Sequence, residues 1–95
     1  MGETPVTVTG VRVRYWAAAK AAAGTAEDVL AVSGPLTLAD VRREVLALHP
    51  GTRLEQVLGA CSVLVGDEPL GSRSPDEVVV EPGASVEFLP PFAGG

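Results

Sequence analysis

Residues 85–95 read Ser-Val-Glu-Phe-Leu-Pro-Pro-Phe-Ala-Gly-Gly, a strand pattern that runs directly into an uncharged tail. Val86 and Phe88 flank a polar residue, which predicts a strand with both of these side chains in the core. Pro90 and Pro91 have no backbone N–H, so the strand cannot continue its hydrogen-bond ladder through them. The sequence therefore predicts a last strand that ends before Pro90 and a flexible tail of residues 90–95.

The tail offers one reactive group, the α-carboxyl of Gly95. Six extended residues reach at most about 20 Å, which is enough to enter the pocket of a neighbouring protein. Gly94 and Gly95 have no side chains, so a narrow channel can close around their backbone. An α-carboxyl group is ionised at neutral pH and is then a poor electrophile. Chemistry at this carbon requires activation by another enzyme, for example ATP-dependent adenylation.

The first strand is predicted after Gly10, with Val11, Val13 and Tyr15 facing the core. Val6 and Val8 also alternate with polar residues, but they are one position out of phase with Val11, Val13 and Tyr15. A single continuous strand with a period of two cannot contain both sets. Gly10 is therefore interpreted as the boundary between an N-terminal extension, residues 1–10, and a folded domain, residues 11–89.

A short helix and a second strand are predicted next. Residues 17–23 are alanines interrupted only by Lys20, which favours one or two helical turns, and Gly24 suits the position after a helix. Residues 25–32 then predict a strand with Leu30 and Val32 facing inward.

The main helix is predicted to begin after Thr37, which can cap it, with Asp40 three residues further on. His49-Pro50-Gly51 ends this helix, because the residue before a proline disfavours helical geometry. Its apolar face, which we expect to cover a sheet, consists of Leu38, Val41, Val45 and Leu48.

The rest of the chain predicts a short helix within residues 52–58, strands at 62–65 and 78–80, and a type II turn at Pro82-Gly83. The fold class that follows is α+β, with a mixed sheet of four to five strands packed on one main helix.

Length and charge limit the function. A chain of 95 residues has room for one small domain but not for an enclosed active site as well, so we expect no catalysis by this chain alone. Its net charge of −5 is opposite to that of nucleic-acid-binding surfaces. No segment is long and apolar enough to cross a bilayer and no signal peptide is evident, so we expect a cytoplasmic protein without membrane or nucleic-acid partners.

Cys61 and His49 are the only cysteine and histidine. Cys61 lies in an apolar run, which favours a small buried side chain over a redox role, and no clustered ligands indicate a metal site. His49 invites interpretation as a general base, but no Ser, Cys or carboxylate constellation is evident around it, so a plain role at the helix end is favoured.

Four stretches of the chain together resemble the ubiquitin-like sulfur-carrier family, and within it the small subunits of molybdopterin synthase. The tail and last strand, residues 82–95, resemble the ending of that family. Residues 11–17 and the alanine-rich turn that follows resemble its first strand and short helix. Residues 37–41 resemble the start of its main helix, and residues 63–67 its central hairpin. The resemblance covers nearly the whole chain and implies the β-grasp, or ubiquitin-like, fold.

The resemblance also implies a mechanism and partners. Gly95 would be adenylated by an activating enzyme that uses ATP, converted to a thiocarboxylate, and inserted into the large subunit of molybdopterin synthase to deliver sulfur to a pterin precursor. Gly94 would allow a slim approach, and no cofactor would be bound by the chain itself. The residues that would contact the partner are Leu89, Pro90, Pro91, Phe92 and Ala93.

Three alternatives remain open. The chain could carry sulfur for another pathway, such as thiamin or cysteine synthesis, although the double proline favours the molybdopterin branch. It could instead be a protein modifier that becomes attached to lysines through Gly95. It could also be an interaction module with an inert tail.

Overall fold

The computed structural model describes residues 9–91. In chain order, the helices and strands are β1 (Gly10–Tyr15), α1 (Ala17–Ala23), β2 (Glu27–Ala31), β3 (Leu36–Thr37), α2 (Leu38–Leu48), α3 (Leu54–Ala60), β4 (Ser62–Val65), β5 (Glu68–Pro69), a 3-10 turn (Pro75–Glu77), β6 (Val79–Val80) and β7 (Ser85–Leu89). Most of the predicted N-terminal extension lies outside the described residues, as do Phe92, Ala93, Gly94 and Gly95 of the predicted tail.

One mixed sheet of five strands forms the centre of the domain, in the order β2-β1-β7-β4-β5. β7 pairs in parallel with β1 on one side and antiparallel with β4 on the other. The short strands β3 and β6 form a separate antiparallel pair. This architecture confirms the predicted α+β fold with a mixed sheet and one main helix.

The alternating residues of β1 and β7 supply the middle of the core, as their pattern predicts. Val13 pairs with Val86 and Tyr15 with Phe88, so the apolar side chains of the two strands lie side by side on one face. The core consists of Val11, Val13, Tyr15, Ala19, Leu30, Leu38, Val41, Val45, Leu54, Leu58, Val78, Val80, Val86 and Phe88.

α2 begins with a complete capping box, as the sequence indicates. The backbone N–H of Asp40 donates to the Thr37 hydroxyl at 3.0 Å, and the backbone N–H of Thr37 donates to the Asp40 carboxylate at 3.1 Å. Two backbone donors that the helix itself leaves free are thereby satisfied. The same backbone contact and the neighbouring Arg43 lower the pKa of Asp40.

Leu48 was predicted to belong to the core, and this prediction is wrong. Its side chain is 52% exposed, whereas Leu38, Val41 and Val45 are buried. Leu48 is the last residue of α2, and the turn that follows it at Pro50 and Gly51 is itself exposed, so helical spacing alone overestimates its burial.

The other sequence predictions differ from the structure mainly at element ends. The second strand is shorter than predicted, and α3 begins and ends later than the predicted short helix. Pro82-Gly83 forms the expected turn, in which Gly83 has φ +93° and the N–H of Ala84 donates to the carbonyl of Glu81 at 3.0 Å. The pairing of β3 with β6 was not predicted, because two-residue strands leave no periodic signal.

His49 closes α2, but it also takes part in a cluster that the sequence did not reveal. Its Nε2 lies 2.6 Å from Asp28 Oδ2, and the Tyr15 hydroxyl donates to the same oxygen at 2.8 Å. Asp28 comes from β2 and Tyr15 from β1, so one carboxylate ties two strands to the end of the main helix. Because the Tyr15 hydroxyl donates to the carboxylate and not to the imidazole, the arrangement differs from a nucleophile paired with a general base.

We predict that Val45→Asp lowers the free energy of unfolding by about 4 kcal/mol, because it places an unpaired charge in an apolar site that has no exposed surface. Leu48→Asp is the matched control on the same helix and should cost less than about 1 kcal/mol, since its side chain is largely in water. Urea unfolding followed by circular dichroism measures both. Equal losses of unfolding free energy in the two variants would contradict the assignment of Val45 to the core and of Leu48 to the surface.

The Tyr15 cluster predicts a loss of stability at high pH. Burial, and then the contact with Asp28, raise the pKa of Tyr15 above its ordinary value. The unfolded chain therefore releases this proton first, and the stabilisation is present below about pH 10 and declines as the pH rises above it. In Tyr15→Phe, the free energy of unfolding should depend less on pH between about 9 and 11. Parallel curves for the two proteins would show that Tyr15 makes no such contribution.

Candidate functional site

The tail begins at the end of the central strand of the sheet. Leu89 is the last residue of β7, is half-buried and pairs with Ser62 of β4. Pro90 and Pro91 follow it and are exposed. On the other side of β7, the N–H of Trp16 donates to the carbonyl of Phe88 at 3.0 Å. The predicted end of the last strand at residue 89 is therefore observed, and the tail leaves the domain beside Trp16.

Trp16 is held in place by two exposed contacts. Its indole N–H donates to Glu87 of β7 at 2.9 Å, and the Arg14 guanidinium lies 5.1 Å from the centre of its ring. The side chain remains 41% exposed. Trp16 is not among the predicted site residues, although a tryptophan directly after the alternation of β1 is a signal that could have drawn attention to it.

An apolar groove of about 310 Å³ lies next to the start of the tail. We call it the α1–α3 groove. Trp16 and the first turn of α1 form one wall, Val57 and Ala60 of α3 form another, and Pro90 and Pro91 complete it. Arg53, the residue before α3, is the one charged side chain among the described residues that line it.

Similarity to known proteins identifies the fold and the family. The sequence matches the ThiS family over residues 13–95. The chain belongs to the ThiS family. It is 30% identical over 89 residues to the molybdopterin synthase sulfur carrier subunit of Aspergillus niger, a match that spans 94% of this chain and 98% of that protein. It is also 30% identical to the protein of the same name from Emericella nidulans, over 88% of this chain and 96% of that one.

A solved structure of similar fold is the small archaeal modifier protein 1 from Methanosarcina acetivorans. Its TM-score is 0.70 at 22% identity, over 92% of this chain and 97% of that one. The ThiS-family chain thus has the expected ubiquitin-like β-grasp fold. The two fungal relatives are named as carrier subunits of a synthase, which agrees with the expectation that this chain is not an enzyme on its own.

The predicted site residues of this ThiS-family member fall into two groups. Leu89, Pro90 and Pro91 are described and lie together where the tail leaves the sheet. The others, residues 92–95, lie outside the described part of the chain, so their assignment stays a prediction. Within residues 9–91, no group of three or more His, Cys, Asp and Glu side chains could hold a metal ion. No helix in the same range is long and apolar enough to span a membrane.

Cys61 lies at the base of the tail and is half-buried. It lines the α1–α3 groove together with Pro91, and its thiol donates to the carbonyl of Val57 at 3.2 Å. Burial raises the pKa of the Cys61 thiol, although the charge of Arg42 opposes this shift in part. A thiol held protonated in this way is a weak nucleophile.

We predict that iodoacetamide labels Cys61 more slowly in the folded protein at neutral pH than in the urea-unfolded chain, because the folded site holds less thiolate. Mass spectrometry over time measures both rates, and Cys61→Ser controls for labelling elsewhere. Labelling of the folded protein as fast as that of the unfolded chain would indicate an activated thiol.

Proposed function

We propose that this protein is the sulfur carrier subunit of a molybdopterin synthase and carries sulfur as a thiocarboxylate on Gly95. Family membership and the two fungal sulfur carrier subunits that it resembles along nearly its whole length support the proposal. The structural observation that carries it is the position of Pro90 and Pro91, exposed at the end of the central strand.

The chemistry starts with activation of the tail. An activating enzyme transfers adenylate from ATP to the Gly95 carboxylate and releases pyrophosphate. Sulfide then attacks the acyl carbon and displaces AMP, which leaves a thiocarboxylate. If a persulfide attacks instead, AMP is displaced and an acyl disulfide forms, and a thiol then reduces its S–S bond to give the thiocarboxylate and a new disulfide. This carrier supplies the acyl carbon, while ATP is bound by the activating enzyme. Gly94 contributes by having no side chain next to the reacting carbon.

The geometry of the domain suits delivery inside another protein. Since β7 is hydrogen-bonded to a strand on each side, its end is fixed relative to the core. Two prolines then prevent the chain from continuing in the sheet. In the proposed complex with the large subunit, Leu89, Pro90, Pro91, Phe92 and Ala93 lie in the access channel. Gly95 would then reach the pterin precursor.

Reconstitution tests the proposal. The purified chain is incubated with a candidate activating enzyme, ATP and a sulfur source, and its intact mass is measured. We expect a gain equal to sulfur replacing oxygen, and then loss of this gain when a candidate large subunit and the pterin precursor are added. Transfer of sulfur only to a thiazole or amino-acid acceptor would favour another sulfur pathway. A ladder of lysine-linked adducts without sulfur transfer would favour the protein modifier.

We predict that deletion of Gly95 abolishes both the mass gain and sulfur delivery, because the acyl carbon would then belong to Gly94 and lie one residue short of its position in the partner. The thermal midpoint should change by less than about 2 °C, because chain ends contribute little to the folded core. Gly94→Ala is the matched variant: it keeps the length of the tail and tests the narrowness of the channel alone. A strong fall in the thermal midpoint on deletion of Gly95 would contradict a tail that is separate from the core.

A further inference from the structure

Trp16 stands where the chain leaves the sheet after β7, and both of its backbone groups are bound. Its N–H donates to the carbonyl of Phe88 at 3.0 Å, directly after the last residue pair of β1 and β7. Its carbonyl accepts from the N–H of Ala19 at 3.0 Å, in the first turn of α1. Ala19 is buried, so the backbone of Trp16 is fixed between the last strand and a helix that belongs to the core.

The corner after Trp16 is strained. Ala17 has φ +50°, and among residues 9–91 it is the one residue other than glycine with a positive φ. A side chain disfavours this left-handed conformation, which persists only where surrounding contacts fix it. Here those contacts are the backbone hydrogen bonds of Trp16. The strain therefore marks a place where the fold specifies the position of Trp16 closely.

The indole ring is held by side chains from both central strands. Arg14 and Glu87 are paired across β1 and β7 and lie on the face of the sheet opposite to the core. The indole N–H donates to Glu87 Oε1 at 2.9 Å, and the Arg14 guanidinium lies 5.1 Å from the ring centre. A hydrogen bond to a carboxylate and a cation above an aromatic face are both favourable. Together they hold the ring beside the strand end.

Few backbone rotations separate β7 from Pro91. The ring of each proline locks its own φ, so the direction of Pro91 relative to β7 depends on ψ of Leu89 and ψ of Pro90. The residue before a proline is restricted as well, and two successive prolines favour an extended, semi-rigid conformation. A group that limits ψ of Leu89 therefore sets the direction of both prolines.

Trp16, Pro90 and Pro91 line one cavity, the α1–α3 groove. We infer that Trp16 is a positioning residue: its fixed indole blocks one side of the strand end and so sets the direction in which Pro90 and Pro91 leave the sheet. This effect on direction is a property of the free chain. Its use in presenting the tail to a partner rests on the proposed function.

A fixed starting direction matters for binding. A tail that is already aimed loses less conformational freedom when the channel of a partner binds it. The benefit lies in binding and not in the chemical step, because the channel itself holds the tail once it is bound. A substitution that frees the indole should therefore raise KM for the chain and leave kcat unchanged.

Glu87 offers a matched pair of variants that leave the indole in the chain. Glu87→Gln keeps an acceptor for the indole N–H and Glu87→Ala removes it, while both remove the same charge. The measurement is carbon-13 relaxation at the Cα atoms of Pro90 and Pro91, in the full chain and without a partner. We expect order parameters of about 0.85 in the unmodified chain and in Glu87→Gln, below about 0.6 in Trp16→Ala, and intermediate in Glu87→Ala.

Val29→Ala is the control, since Val29 is exposed on the same face of the sheet but lies on the edge strand β2. It should leave the order parameters of both prolines unchanged. Thermal midpoints and the amide shifts of β1 and β7 show whether each variant keeps the sheet intact. If Trp16→Ala lowers the midpoint strongly, the Glu87 pair decides alone. Equal order at Pro90 and Pro91 in all variants, or order parameters below about 0.6 in the unmodified chain, would overturn the inference.

Kinetics tests the use of this positioning. Adenylation by a candidate activating enzyme is followed by ATP–pyrophosphate exchange, with the chain as the varied substrate. We expect Trp16→Ala to raise KM about fivefold at unchanged kcat, the effect of losing the order of about one backbone residue. Glu87→Ala should raise KM less, and Glu87→Gln should restore it.

Two kinetic outcomes would count against the inference. An equal rise of KM in both Glu87 variants, with the prolines equally ordered, would assign Glu87 to a direct contact with the partner. An unchanged KM despite lower order at the prolines would overturn the role in presenting the tail. Failure of the unmodified chain to be adenylated would count against the proposed function instead, whereas the order parameters are measured without a partner and decide the positioning role by themselves.

Discussion

Parallel hydrogen bonds between β1 and β7 join the two ends of the domain in the middle of the sheet. This pairing puts Tyr15 beside Phe88 and aligns the apolar faces of both strands on the core side of the sheet. It also brings Trp16, which directly follows β1, next to the residues that follow β7. Pro90, Pro91, Trp16 and the α1–α3 groove therefore lie together. They do so because β1, near the start of the domain, pairs in register with β7, near its end.

Two kinds of contact near the C-terminal end of β1 connect helices to the sheet. Near Asp28, a half-buried carboxylate accepts from Tyr15 and contacts His49, so the end of α2 is held by directional polar contacts. Near the tail, α1 and α3 leave an apolar groove that Arg53 also lines. Buried polar contacts are directional and specify one arrangement, whereas apolar contacts in an open groove are non-directional. The domain thus combines a fixed core with an adaptable surface at the place where chemistry is proposed.

Much of the fold followed from the sequence because its signals are local. Alternation placed Val13 and Val86 correctly, and Thr37 with Asp40 marked the start of the main helix. The predicted burial of Leu48 was wrong because helical spacing does not reveal where the sheet covered by the helix ends. The contact between Asp28 and His49 and the exposure of Trp16 depend on strands that are distant in sequence, so no periodicity could show them. The site followed only in part: the strand end at Leu89 is observed, and the chemistry of Gly95 came from resemblance to a family.

The position of β7 has a mechanical consequence. A force applied to the residues after Leu89 acts along β7, which is hydrogen-bonded to β1 on one side and to β4 on the other. The force loads the hydrogen bonds of both pairings in shear, so many of them must break at the same time. An edge strand that is peeled away would lose its hydrogen bonds one by one. A partner that pulled on the residues after β7 would therefore load both ladders at once, and the domain should stay folded under that load.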